Sequence, residues 1–264
     1  MHYRKMKLVV KILIFFFITH FFLSCNNNFK NDHKISSTKI DKQSWMKKPL
    51  KEWPQITMIN HINYFDRDYS IAGCGFLLDI GKDTIAATVK HILTYFNSNN
   101  MRTVSFNNSL RYWEMYPKNN KNDKVYIGEI INENPHESLQ GIPVNNDWLL
   151  LSVKQKSLNI QPLQFRKTSL SSGEKVYIIG WRYCDTNCTQ RIYEGNFVRY
   201  LGGSLIISTK LLKNNTVPGL SGSPVIDSVG YLIGIMSQKY GEEERLSSTE
   251  YPIELLSNKN KIIK

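Results

Sequence analysis

The sequence predicts an all-β protein with two β-barrels and a short C-terminal helix. Many short runs rich in Ile, Val, Tyr and Phe alternate with clusters of Gly, Asn, Asp and Lys, which is typical of strands joined by turns. No long segment repeats its apolar residues with a helical period, so the pattern favours a sandwich or a barrel. A polar break at residues 155–172 divides the strands into two sets, and this division predicts two barrels.

The composition is that of a globular chain. Of 264 residues, 41% are hydrophobic and 12% aromatic, which is too apolar for a disordered protein, and 15 Gly with 9 Pro is far from a collagen-like composition. The net charge is +12, which by itself is compatible with nucleic-acid binding. Because the lysines are spread along the chain, a solvated basic surface is the favoured interpretation, and we expect no nucleic-acid partner.

The N-terminal 24 residues have the pattern of a secretory signal. Basic residues precede residue 12, and Ile12–Leu23 is almost entirely apolar but short for a membrane span. An uncleaved anchor is the alternative. Phe22-Leu23-Ser24-Cys25 resembles the bacterial lipobox, which implies cleavage before Cys25 and a lipid on its sulfur. Residues 1–24 are therefore predicted to be a lipoprotein signal peptide, and the lipid is expected to attach the protein to the cell envelope.

Polar residues dominate the stretch that follows Cys25. We predict that residues 25–52 form a polar tether, that residues 53–160 form the first barrel, and that residues 161–264 form the second barrel and the helix. Trp53 marks the change in pattern.

The strands are expected where apolar runs end at turn residues. The first set comprises Ile56–Tyr64, Gly73–Ile80, Thr84–Val89, Thr103–Phe106, Leu110–Met115, Lys124–Ile131 and Trp148–Val153. The second set comprises Lys175–Trp181, Arg191–Leu201, Ser204–Ser208, Pro224–Asp227 and Tyr231–Ser237. The helix is expected after a capping segment at 247–249, with Pro252 in its first turn.

Three cysteines remain once Cys25 is assigned to the lipid. Cys184 and Cys188 lie close together in a chain predicted to be exported, so a local disulfide is expected. Zinc is the poorer interpretation, because no second Cys or His pair lies near them. Cys74 would then be an unpaired, buried thiol.

The strongest local signal is Pro218-Gly219-Leu220-Ser221-Gly222-Ser223-Pro224-Val225. A serine hydroxyl is a weak nucleophile and must be presented to a base. The oxyanion that develops during attack needs backbone N–H donors, and the N–H groups of Gly219 and Ser221 could supply them. The alternative is an ordinary Gly/Ser/Pro turn between strands.

The base should be a histidine, and the chain beyond the signal offers four. His33 lies in the tether, His61 inside an early strand, and His136 in a polar loop at 132–140, whereas His91 follows an apolar strand and could face a cleft. The acid that orients it should be buried. Asp147 directly precedes four large apolar residues and needs a partner there, although it could also be a simple strand-initiating residue.

Together these segments resemble the chymotrypsin-fold, trypsin-like serine protease family over about residues 55–256. Five motifs carry the resemblance, in the family's order: Gly73-Cys74-Gly75-Phe76, Thr88-Val89-Lys90-His91, Asp147-Trp148-Leu149-Leu150-Leu151, Gly219-Leu220-Ser221-Gly222-Ser223-Pro224 and Gly234-Ile235-Met236-Ser237. The resemblance implies two six-stranded antiparallel Greek-key barrels with the active site between them.

The family implies a role for each candidate residue. Ser221 would attack the peptide carbonyl, His91 would transfer its proton, and Asp147 would orient the imidazole. Gly219 and Ser221 would form the oxyanion hole, and Ser237 would support the acid from the second barrel. The substrate would be a peptide or protein, and we expect a monomer with no cofactor and no metal.

Several positions depart from the family pattern. Leu220 stands where members activated by cleavage carry an aspartate that pairs with the new N-terminus, so that ion pair cannot form here. Asn215, Met236 and Ser237 are expected to line the specificity pocket, where Asn215 is neutral at a position that trypsin-like specificity gives to an acid. The alternative function is a trypsin-fold binding module at the cell envelope that performs no hydrolysis.

Overall fold

The computed structural model describes residues 42–186, 190–209, 218–240 and 243–262. All the described residues belong to one compact unit, Ile40–Lys264. The predicted signal peptide, Cys25, His33, Cys188 and Asn215 lie outside the described residues.

Strands form most of the described chain. The first half contains β1 Met58–Tyr64, β2 Asp68–Tyr69, β3 Cys74–Asp79, β4 Thr84–Val89, β5 Thr103–Val104, β6 Leu110–Tyr116, β7 Val125–Ile130, β8 Asn134–Ser138 and β9 Trp148–Gln155. The second half contains β10 Lys175–Gly180, β11 Arg191–Leu201, β12 Ser204–Thr209, β13 Pro224–Asp227, β14 Leu232–Tyr240 and β15 Glu243–Ser248. The helices are α1 Ile92–Tyr95 and α2 Glu250–Ile262, and single 3-10 turns lie at Ser44–Lys47, Leu50–Glu52 and Val144–Asn146.

The strands close into two six-stranded antiparallel barrels, as the sequence predicts. In the first barrel the neighbours run β1-β3-β4-β9-β7-β6, and β6 pairs back with β1. In the second barrel they run β10-β11-β12-β15-β14-β13, and β13 pairs back with β10. Counted along the chain within each barrel, the fourth strand lies beside the first in both, which is the Greek-key arrangement. The two halves therefore repeat one topology.

Each barrel has its own apolar interior. In the first, nearly every residue of β3 and β4 is buried, and the rings of Phe76 and Trp148 meet edge to face with centroids 6.2 Å apart. In the second, alternate residues of β10 and β15 point inward, among them Val176, Ile178 and Leu246.

Three short or polar strands differ from the sequence prediction. Strands β2, β8 and β15 are not expected from apolar patterning, because β2 has only two residues, β8 is mostly exposed and β15 begins with two glutamates. The prediction that His136 lies in a loop is wrong, because it lies in β8, which pairs with β5. His136 lies between Asn134 and Ser138, which pair with β5, so backbone pairing on both sides of it, rather than burial, defines this strand.

The chain before the first strand packs against the second barrel. Trp45 and Met46 are buried, and the ring of Trp53 contacts the rings of both Trp45 and Tyr177. The backbone N–H of Gln43 donates to the carbonyl of Val229 at 2.8 Å. Residues 42–52 belong to the predicted tether, yet they are folded. The buried side chains of Trp45 and Met46 hold this otherwise polar segment against the second barrel.

Helix α2 returns from the second barrel to the first. Ser248, at the end of β15, accepts a hydrogen bond from the indole of Trp148 at 2.8 Å, and the hydroxyl of Tyr251 accepts one from Asn132 at 3.3 Å. Pro252 lies in the first turn, as predicted. The helix therefore ties the last strand of one barrel to the wall of the other. Among the described residues, no helix is long and apolar enough to cross a membrane.

A buried ion pair lies beneath this helix. The side chain of Lys90 is 0% exposed, its Nζ lies 2.7 Å from Glu137 Oε1, and it lies 5.4 Å from the ring centroid of Tyr251. We predict that Glu137→Ala lowers the free energy of unfolding by about 3 kcal/mol, because it leaves a buried ammonium without its carboxylate. Urea unfolding measures this as a lower midpoint at an unchanged slope.

The matched control is Glu194→Ala. Glu194 pairs with Lys175 at 3.1 Å, and both side chains are about half exposed at 50% and 52%. Solvent screens this pair, so its loss should cost less than about 1 kcal/mol. Equal effects of the two substitutions would contradict the assignment of Lys90 as a buried, paired charge.

Candidate active site

The first pair of predicted site residues lies at one end of two neighbouring strands. His91 follows β4, Asp147 precedes β9, and Val89 pairs with Trp148 in the register of these strands. The backbone N–H of Lys90 donates to the carbonyl of Asp147 at 3.1 Å, which extends the pairing by one residue. Because β4 and β9 are antiparallel neighbours, residues 56 positions apart meet at the same edge of the first barrel.

Asp147 binds His91 through both carboxylate oxygens. Oδ1 accepts the backbone N–H of His91 at 2.8 Å, and Oδ2 lies 2.6 Å from His91 Nδ1. A carboxylate at this position favours the tautomer with its proton on Nδ1, which leaves Nε2 as an acceptor. The imidazole is therefore fixed in position and oriented to take a proton at Nε2.

The second barrel also contacts Asp147. Ser237, on β14, donates its hydroxyl hydrogen to Oδ2. Asp147 is only 2% exposed, so its negative charge is stabilised by the hydrogen bonds from His91 and Ser237 in place of water. The acid thus joins the two barrels, since His91 donates to it twice from the first barrel and Ser237 donates once from the second.

Tyr95 flanks the imidazole, although sequence reasoning did not select it. Its ring meets that of His91 edge to face with centroids 6.1 Å apart, and 71% of the tyrosine is exposed. His91 precedes a helical turn, and residues four apart in a helix lie on the same face. This spacing is the signal that could have identified Tyr95.

Ser221 lies in a loop of the second barrel that packs against the first barrel. Its carbonyl accepts the backbone N–H of Cys74 at 2.8 Å. A Cβ added at Gly73 would lie 2.8 Å from that carbonyl oxygen and 3.9 Å from Cδ1 of Ile92, the residue after His91. The serine is therefore brought to the segment that carries the histidine. Among the described residues, no hydrogen bond joins the hydroxyl of Ser221 to His91.

Two glycines of this loop adopt conformations that disfavour other residues. Gly219 and Gly222 have φ of +106° and +86°. A Cβ at Gly222 would lie 2.0 Å from the carbonyl oxygen of Cys74, and one at Gly219 would lie 2.6 Å from the backbone nitrogen of Tyr183. Both steric limits come from backbone atoms, so a larger residue would displace the loop.

Two hydrogen bonds fix the peptide groups around Gly219. The carbonyl of Pro218 accepts the backbone N–H of Tyr183 at 2.9 Å, and the carbonyl of Gly219 accepts the thiol of Cys74 at 3.2 Å. Because the C=O and N–H of a trans peptide point in opposite directions, the first bond turns the Gly219 N–H away from Tyr183. In the part of the chain that the structure describes, the N–H groups of Gly219 and Ser221 donate to no acceptor.

The thiol of Cys74 is suited to its role as a donor. Burial raises its pKa to about 11, so it remains protonated near neutral pH. The prediction of an unpaired, buried thiol at Cys74 is confirmed. Cys184 is a free, exposed thiol in the structure, and because Cys188 lies outside the described residues, their disulfide stays a prediction.

Leu220 is fully buried in the interior of the second barrel. It stands at the position where the family pattern suggested an aspartate. Its side chain packs with Val176 and Val225 in the same cluster, so apolar burial holds this part of the loop.

Asp185 stabilises the turn that contacts the Ser221 loop. Sequence reasoning did not select this residue. Burial disfavours its charge, but hydrogen bonds from Arg182 and from Tyr193, at 2.6 Å, outweigh burial and hold the pKa of Asp185 well below its usual range. It also accepts the backbone N–H of Arg182 at 2.8 Å. The turn at residues 182–185 therefore presents Tyr183 N–H to Pro218.

The two described residues that were predicted to line the specificity pocket, Met236 and Ser237, lie in different surroundings. Met236 is 3% exposed and packs in the interior of the second barrel, and its carbonyl accepts the N–H of Gly222 at 3.0 Å. Ser237 contacts Asp147, as described above. In the described ranges, no group of three or more His, Cys, Asp or Glu side chains is placed to hold a metal ion.

This fold and this geometry are those of a protease scaffold, and the chain belongs to the trypsin-like peptidase family. The model of the trypsin-like peptidase domain matches residues 73–235, which include His91, Asp147 and Ser221. A comparison with curated proteins finds no match.

Solved structures of bacterial proteases have the same fold. The active form of the Rv3671c protease from M. tuberculosis aligns with a TM-score of 0.54 and 13% identity, covering 82% of this chain and 87% of that one. The serine endoprotease from Yersinia pestis aligns with a TM-score of 0.50 and 15% identity, covering 78% of this chain and 62% of that one. Identities this low establish the fold alone.

The environments of the two described cysteines predict different reactivities. After mild reduction, we expect iodoacetamide to modify Cys184 in the native protein and to leave Cys74 unmodified until the protein unfolds, because Cys74 is buried and protonated. Peptide mapping by mass spectrometry measures both. Rapid native modification of Cys74 would contradict the donor role assigned to its thiol.

Proposed function

We propose that the protein is a serine endopeptidase, anchored by a lipid in the bacterial envelope, that hydrolyses peptide bonds through an acyl-enzyme formed on Ser221. The observation that supports this most strongly is the fixed imidazole of His91, held by Asp147 at 2.6 Å. The trypsin-like peptidase domain and the loop that carries Ser221 support the same chemistry.

In the first half of the reaction, Ser221 Oγ attacks the carbonyl carbon of the substrate. His91 Nε2 takes the hydroxyl proton, and the electrons of the carbonyl π bond move to its oxygen. The N–H groups of Gly219 and Ser221 stabilise that oxyanion, and Asp147 stabilises the imidazolium. When the oxyanion collapses, the C–N bond breaks, the amine leaves with the proton from His91, and the acyl group remains on Ser221.

In the second half, a water molecule replaces the amine. The oxygen of this water attacks the ester carbonyl carbon while His91 takes a proton from the water. The ester bond breaks, Ser221 recovers its proton from His91, and the carboxylic acid product leaves. These steps use only His91, Asp147, Ser221 and backbone groups, so no cofactor is required.

The lack of a hydrogen bond between Ser221 and His91 favours a second candidate function, a binding module that performs no hydrolysis. No hydrogen bond joins the two side chains among the described residues, and turnover requires one. Catalytic hydrogen bonds are often long in the absence of substrate and shorten when it binds. A measurement of the reactivity of Ser221 is therefore needed to distinguish the two candidate functions.

A fluorophosphonate probe separates the two candidates. We predict that the wild-type protein is labelled on Ser221, whereas Ser221→Ala and His91→Ala are unlabelled and lose about 10⁶-fold in peptide hydrolysis with the fold intact. Circular dichroism and thermal melting provide the check on folding. Wild-type protein that resists the probe, or a His91→Ala variant with unchanged turnover, would support the binding module.

Anchoring by a lipid is proposed from the lipobox-like sequence that ends at Cys25. We predict that cells grown with labelled palmitate incorporate the label into the wild-type protein, which partitions with membranes. Cys25→Ser should remain unlabelled and unanchored, because a single sulfur carries the proposed thioether lipid. A labelled Cys25→Ser variant would contradict this assignment.

A further inference from the structure

Lys118 reaches from the first barrel to the second, and the proposed reaction does not use it. It follows β6 by two residues, in the connection to β7. Its Nζ lies 4.5 Å from the ring centroid of Trp181 and donates to the backbone carbonyl of Asp185. Trp181 directly follows β10 and is fully buried, so both contacts of this ammonium are with the second barrel.

Both contacts require the charged side chain. The face of an indole ring attracts a cation, and a backbone carbonyl oxygen accepts one of the three hydrogens of an ammonium. Neither attraction is available to an uncharged apolar side chain. Because Lys118 is only partly exposed, water and salt screen these contacts less than they would at the open surface. The ammonium is therefore held in place, and it holds the carbonyl of Asp185 in turn.

The carbonyl that Lys118 binds lies in the turn at residues 182–185. The N–H of Asp185 donates to the carbonyl of Arg182 at 2.9 Å, and this bond closes the turn. The carboxylate of Asp185 accepts the N–H of Arg182 at 2.8 Å, so the turn is braced from both sides. The hydrogen bond from Lys118 adds the first barrel to the contacts that hold this turn.

The same turn touches the proposed oxyanion hole. Tyr183, in the turn, donates its N–H to the carbonyl of Pro218 at 2.9 Å. A Cβ at Gly219 would lie 2.6 Å from that nitrogen and 3.1 Å from Cα of Arg182, so the glycine packs directly on the turn. Because the carbonyl of Pro218 and the N–H of Gly219 belong to one planar peptide group, a displacement of the turn also displaces this donor.

We propose that Lys118 is a positioning residue for the oxyanion hole: it fixes the turn at residues 182–185 from the first barrel, and the turn fixes the N–H of Gly219. Backbone donors stabilise an oxyanion best when they already point at its position before the reaction begins. Lys118 acts through the turn and not on the substrate. This inference depends on the proposed peptidase function, and it deepens it by assigning a residue that orients the hole.

The kinetic test uses p-nitrophenyl acetate, a small ester that requires no particular peptide sequence. Acylation of Ser221 releases a burst of p-nitrophenol, whose rate gives the acylation rate constant and the dissociation constant of the ester separately. Lys118→Met should lower the acylation rate constant by roughly 10- to 100-fold, the effect of misplacing a catalytic group slightly, and leave the dissociation constant within about twofold. An unchanged acylation rate constant would overturn the proposal.

Lys121→Met and Lys118→Arg are the matched controls. Lys121 is exposed in the same connection between β6 and β7, and its Nζ lies 5.9 Å from the ring centroid of Tyr116. Its substitution removes the same charge, so the acylation rate constant should persist. Lys118→Arg keeps a cation that stacks on an aromatic ring and donates to a carbonyl, so it should retain most of the rate. Equal losses in Lys118→Met and Lys121→Met would show a general effect of charge and would overturn the assignment.

Amide hydrogen exchange, followed by NMR, separates this proposal from the peptidase proposal because it needs no turnover. Lys118→Met should speed exchange of the Tyr183 amide by about tenfold or more, since the turn loses a contact that holds it. The amide of Leu163, which donates to Leu77 of β3 at 2.9 Å, reports on unfolding elsewhere and should exchange at an unchanged rate.

The outcomes of the exchange measurement are distinct. Faster exchange at Tyr183 alone, in a protein whose wild type is not acylated by the ester, would reject only the peptidase. Acylation of the wild type with unchanged exchange at Tyr183 in Lys118→Met would reject only the role of Lys118. Equal acceleration at Tyr183 and Leu163 would show a general loss of stability and would also overturn that role.

Discussion

The contact between Asp147 and His91 forms within the first barrel and is supported from the second, and the candidate site depends on it. Pairing of β4 with β9 brings the acid and the imidazole to one edge of the first barrel. Ser237 then reaches the same carboxylate from the second barrel. Because Asp147 is buried, losing a donor from either side would leave a carboxylate poorly solvated, which is a strong constraint on how the barrels can lie. The same constraint orients the imidazole.

The loop around Ser221 keeps its conformation without an ion pair between an aspartate and a newly cut N-terminus, because Leu220 occupies the aspartate position. Leu220 fills the interior of the second barrel, the backbone of Tyr183 fixes the carbonyl of Pro218, and the first barrel contributes the thiol and backbone N–H of Cys74. These contacts are apolar burial and neutral hydrogen bonds. They need no newly cut N-terminus, so the geometry of the loop is a property of the folded chain itself.

The sequence predicted the barrels and the candidate site residues, because their signals are local. Apolar strands bounded by turn residues identified both barrels, and the chemistry of His91, Asp147 and Ser221 followed from short motifs. Strand β15 was missed because its first residues are charged, and only its pairing with β12 and β14 identifies it as a strand of the second barrel. Asp185 and Trp45 were missed for a related reason: a single residue's polarity does not reveal which distant element covers it.

The orientation of His91 by Asp147 is tested most directly by proton NMR. A proton held on Nδ1 in a short hydrogen bond to a carboxylate is protected from solvent and gives a strongly downfield resonance. We expect this resonance in the wild-type protein and in Ser221→Ala, and we expect it to be absent from His91→Ala and Asp147→Asn. A folded wild-type protein without the resonance, or an Asp147→Asn variant that keeps it, would contradict the central role of this contact.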